Sequence, residues 1–217
     1  MKTLPFLIIF YLSALLQPIE PGDPRMIFHD FTEGTVYLKD RSQVRAKLNY
    51  DAYDEQMIFV NNNQVMALAN PELIDRVTIG ERTFYWLEKD IFLEKIDSAS
   101  IVIYKRHRRQ MRSEGKETSF GGVTQTQAVS TIERLNRSSD NASASLEQKE
   151  SFRFENDDLF YLYADGKFES LATPKQIAKF FRTNKKSLAS YMQSHAIDLQ
   201  NSNDVIQLIQ FCRKTAD

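Results

Sequence analysis

Chemistry in this chain would have to come from few side chains. It has three histidines, His29, His107 and His195, and one cysteine, Cys212. No histidine stands in a metal or triad spacing such as H-E-x-x-H, and no serine sits in G-x-S-x-G. A nucleophilic thiol needs a lowered pKa and a partnered base, whereas Cys212 falls on an apolar helical stripe, where a small buried hydrophobe is expected. The sequence therefore predicts no catalytic residue, no metal ligand and no cofactor.

Two acidic groups, Asp51 with Asp54 and Glu55, and Glu155 with Asp157 and Asp158, lack the alternating ligands and central glycine of a calcium loop. They read as solvated turns. The densest charge is basic: Lys105, Arg106, Arg108, Arg109 and Arg112 are five cations within eight residues. This run is a candidate contact for anionic lipid, lipopolysaccharide or an acidic partner. No aromatic ring interleaves with it, and 28 basic against 29 acidic residues make a near-neutral chain, so nucleic acid is not expected as a partner.

The elements that must carry these residues begin with an address. Lys2 precedes an apolar run from Leu4 to Leu16, the pattern of a secretory signal. Such a run makes roughly 20 Å of helix, short of the roughly 30 Å hydrocarbon layer, so residues 1–17 are expected to be cleaved beside Gln17, with no membrane span in the mature chain. No cysteine directly follows the run, so an N-terminal lipid anchor is not expected. The lone Cys212 excludes an internal disulfide, and stability has to come from a packed core. The expected location is the periplasm, the outer-membrane surface or the medium.

Residues 18–30, with Pro18, Pro21 and Pro24, read as an extended leader. From 31 to 105 short alternating runs separated by turn residues predict an antiparallel meander of about eight strands. The turn signals include Asn61–Asn63 and Gly80–Glu81. Residues 106–150 are polar, poor in large apolar side chains and expected to be flexible, and they carry two Asn-x-Ser sequons at Asn136 and Asn141. Residues 151–217 predict a hairpin at Asp165–Gly166 and a tail of three helices, each under about 12 residues, opened by Thr173, Asn184 and Asn201 or Ser202. The fold class expected is α+β.

The segments "EGTVYLKDRSQVRAKLNYDAYDEQMIFV", "RVTIGERTFYWL" and "FYLYADGKFESLATPKQIAKFF" behind a signal resemble uncharacterised exported proteins of Bacteroidota-type bacteria. That resemblance implies an envelope location and assigns no activity and no site residue. The functional expectation is an exported, non-catalytic envelope protein that acts as an interaction or accessory module. The alternative is a carrier whose meander forms a cup for an apolar or lipid ligand, and a hydrolase with a split site is the least favoured reading.

Overall fold

The computed structural model describes residues 21–97, 102–113, 116–117, 123–124 and 152–215. The signal-like run and both sequons lie outside the described residues. The strands are β1 Thr32–Leu38, β2 Gln43–Asp51, β3 Gln56–Asn61, β4 Gln64–Ala67, β5 Ile74–Ile79, β6 Arg82–Glu88, β7 Ile91–Asp97, β8 Val102–Arg106, β9 Arg109–Ser113, β10 Lys116–Glu117, β11 Val123–Thr124, β12 Phe152–Asn156, β13 Leu159–Ala164 and β14 Lys167–Ser170. Three helices follow, α1 Pro174–Phe181, α2 Lys185–Ser194 and α3 Ser202–Thr215. The class is α+β, as the alternation predicts.

Ten strands form one sheet in the order β14-β13-β8-β7-β6-β5-β1-β2-β3-β4, with every pair antiparallel. Local turn chemistry sets its register. Asn62 and Asn63 both have positive φ, at 48° and 61°, and Asp165 and Gly166 do the same at 50° and 80°, the geometry of type I′ hairpins. Gly80 turns β5 into β6 at φ 56°, as expected for the first position of a II′ turn. Pro71–Leu73 forms a short 3-10 turn before β5.

Alternation puts one side of each strand inward. The sheet curls enough to bring β3 against β7. Inside it lies a core of Val36, Leu48, Tyr50, Met57, Phe59, Val77, Ile79, Phe84 and Phe92, all buried. Gly34 permits the curl where β1 crosses its neighbours, because a Cβ there would lie 2.5 Å from the Thr78 carbonyl oxygen and 2.7 Å from Leu48. A second core joins Ile103, Phe160, Leu162 and Leu171 of the sheet region to Ile177, Leu188, Val205, Leu208, Ile209 and Cys212 of the helices. The helical tail thus packs on the sheet.

Three expectations change. The leader is docked: Met26 is buried, Ile27 donates to the Tyr50 carbonyl, and Ala52 donates to the Arg25 carbonyl. The cause is a vacant edge, since β1 pairs with β2 only as far as Leu48 and residues 49–52 need other partners. Phe28 and Asn49 close the same edge, the Asn49 amide accepting from the Phe28 N–H and donating to its carbonyl. Strand structure also continues past residue 105, because β9 pairs with β12 in a two-stranded sheet. Most of residues 106–150, the segment expected to be flexible, lie outside the described residues, and those described include the short antiparallel pair β10–β11. Finally, α3 runs for 14 residues, longer than its apolar stripe suggests.

Candidate functional site

The chain leaves the ten-stranded sheet after β8 and returns at β13, and the basic run lies at this exit. Two acidic clusters meet it. Lys105 Nζ lies 2.7 Å from Asp158 Oδ2, and Arg106 grips Glu55 in two parallel hydrogen bonds of 2.5 and 2.7 Å. Arg108 Nη2 is 3.1 Å from Asp157, and its backbone N–H donates to Asp158 Oδ1. Arg112 pairs with Glu155 at 2.5 Å. Arg109 donates its backbone N–H to the Ala52 carbonyl, while its buried Nε has no hydrogen-bond partner among the described residues. Four of the five candidate cations are therefore neutralised within the molecule.

Of the acidic residues read as solvated turns, Asp54 is exposed, and Asp51, Glu55, Glu155, Asp157 and Asp158 are buried or paired. Asp51 accepts from the N–H groups of Tyr53 and Asp54 and faces Arg25 at 3.5 Å. Burial pushes its carboxyl up against those favourable contacts. Glu55 and Asp158 hold the exit of the basic run.

His107 is buried within this exit. Its Nε2 lies 2.6 Å from Glu94 Oε2, and Arg82 grips the same carboxylate through two hydrogen bonds of 2.6 Å. Arg82 Nη2 also comes within 3.0 Å of His107 Nε2, yet a guanidinium only donates. The consistent arrangement has Nε2–H and Nη2–H both donating to Glu94. Burial alone would raise the Glu94 carboxyl, but the hydrogen bonds from His107 and Arg82 prevail and hold it at about 2. Burial lowers the His107 imidazole in spite of Glu94. At neutral pH the pair is a carboxylate and a neutral imidazole. Among the described residues no hydrogen bond or ion pair joins His107 to a serine or a cysteine.

The other histidines are apart. His29 is exposed beside Asp30, and His195 stacks on Tyr191 at 4.0 Å between ring centres. Cys212 is buried in the helical core, where burial pushes its thiol up. Among the described residues no group of three or more His, Cys, Asp or Glu side chains is placed to hold a metal ion.

A different surface lies at the β14 end of the sheet. Ile103, Phe160 and Leu162 face the helices, so the intervening Tyr104 and Tyr163 point to the opposite side. There Tyr104 meets Phe168 edge-on at 4.8 Å and Tyr85 at 5.9 Å, and Phe168 meets Tyr163 at 5.0 Å. Tyr163 is 56% exposed. Beside this patch, β14 ends the sheet and presents an edge. Aromatic residues in a strand texture are common in any sheet, so the sequence did not single these out; their convergence depends on the β8–β13 pairing across the excursion.

No helix among the described residues is long and apolar enough to cross a membrane. No protein-family model, no curated protein and no solved structure matches the chain.

Proposed function

We propose that the chain is an exported, non-catalytic envelope protein that binds a protein partner at the β14 end of its sheet. The observation that carries this reading is the Tyr85–Tyr104–Phe168–Tyr163 cluster beside an edge strand, with Tyr163 open to solvent. Tyrosine and phenylalanine supply large contact area at low entropic cost, and an edge strand offers backbone donors and acceptors to an extended segment. The run behind Lys2 supports export. The carrier alternative is weaker: Tyr50, Phe84 and Phe92 fill the inner side of the curl, and a surface hollow of about 430 Å³ is lined by Lys39, Arg41, Asp75 and Arg76, a charged wall unsuited to an apolar ligand.

The test places a photo-crosslinking amino acid at position 163 and, as a control, at the exposed position 73, in the host envelope. A discrete adduct from 163 that is absent from 73 and abolished by Phe168→Ala is expected. Equal or absent adducts at both positions would remove the sheet-end surface as a binding site. Fractionation and N-terminal sequencing test export separately, with a mature start near Gln17 expected.

A further inference from the structure

We propose that the corner formed by α1 and α2 is a docking surface for an anionic, phosphate-bearing lipid layer, engaged through Lys175, Lys179, Arg182, Lys185 and Lys186. All five are exposed. None of them pairs with a carboxylate among the described residues, in contrast to the basic run at the exit of β8. No Asp or Glu occurs between Glu169 and Asp198.

The geometry gathers these charges. Lys175 and Lys179 are four residues apart, which sets them on one stripe of α1, on the side away from the buried Ile177. Arg182 ends α1 in the left-handed conformation, at φ 55°, and only Thr183 and Asn184 separate it from α2. Lys185 and Lys186 therefore follow Arg182 within four residues, at the start of the next helix. Asn184 caps α2 by accepting from the N–H groups of Lys186 and Ser187.

Lys185 and Lys186 then occupy the first turn of α2, which contains no acidic residue. A helix N-terminus carries partial positive charge and disfavours cations there. Two lysines that break this local rule with no internal compensation point to a charge supplied from outside. Cations near an anionic lipid surface each strengthen adsorption by about fivefold.

The choice of a lipid layer rests on the export reading above, since a delivered protein meets phosphate headgroups in the envelope. A helix–turn–helix spacing also suits a duplex groove, so duplex DNA is the rival occupant.

The test is cosedimentation of the protein, as purified from its host, with vesicles of phosphatidylcholine alone or with phosphatidylglycerol added, at low and high salt. Binding should favour the anionic vesicles by at least about tenfold and fade with salt. Lys175→Gln with Lys179→Gln and Lys186→Gln should weaken it about a hundredfold, and Arg108→Gln should leave it within about twofold. Lys185→Glu with Lys186→Glu should abolish binding while raising the thermal midpoint, because acidic residues suit that turn. Equal binding to neutral vesicles, retained binding by the triple variant, a fall in midpoint for the double variant, or preference for duplex DNA at equal phosphate would each overturn the proposal. A cytoplasmic location in fractionation would instead defeat the export reading, whatever the vesicles show.

Discussion

Glu94 is the residue on which most buried charge converges, with Arg82 and His107 both donating to it. Its folded pKa near 2 lies below the ordinary 4.5, so its contribution to stability is complete above about pH 4.5 and is lost as pH falls toward 2. His107 acts in the same direction. Its folded pKa is lowered from 6.5, so the unfolded imidazole takes up a proton first and stability declines as pH drops below about 6.5. Urea unfolding across this range should show both limbs. Glu94→Gln should cost about 2–3 kcal/mol at pH 7, by leaving Arg82 without its carboxylate, and should flatten the limb below pH 4.5. The burial of His107 was not legible, since its neighbours in sequence are cations. The partners that neutralise the run are remote, as with Arg106 and Glu55, 51 residues apart.

At the scale of elements, signals confined to a few residues were legible. The asparagine and Asp-Gly turns and the caps Thr173 and Asn184 all formed where their chemistry placed them. Asn184→Ala should lower stability by about 1 kcal/mol, read by thermal or urea unfolding, with the helical signal of α2 affected most. Gly34 is harder to read, because its reason is a crossing and not a turn. Gly34→Ala should cost at least about 2 kcal/mol, since the added carbon meets the rigid backbone at Thr78, and purified yield together with the urea midpoint would report it. The docking of Arg25–Phe28 escaped the sequence because proline-rich texture says nothing about an unfilled edge on β2.

For the whole molecule, the α+β class and the meander followed from periodicity, but the placement of β13 beside β8 did not. That pairing closes over the excursion and creates the surface on which the helices rest. Cutting the chain after Ser170 should therefore expose Ile103, Phe160 and Leu162, and the shortened protein should bind a hydrophobic dye or precipitate on expression. The acid-free stretch from 170 to 197 is present in the sequence, but its cations are less dense than those at 105–112. Density of charge in sequence proved a poor guide to charge left uncompensated in space.

Across β6, β7, β8 and β13, the residues Phe84, Glu94, Lys105 and Phe160 stand opposite one another in a single row. The two phenylalanines belong to the two different cores, and the charged pair lies between them. A polar joint of this kind transmits cooperativity poorly compared with continuous apolar packing, so the molecule should open in two steps under native conditions. Amide hydrogen exchange in low denaturant should release β13, β14 and the helices as one group while β1, β2, β5 and β6 remain protected. A single exchange free energy shared by both groups would show that the charged row couples the cores after all.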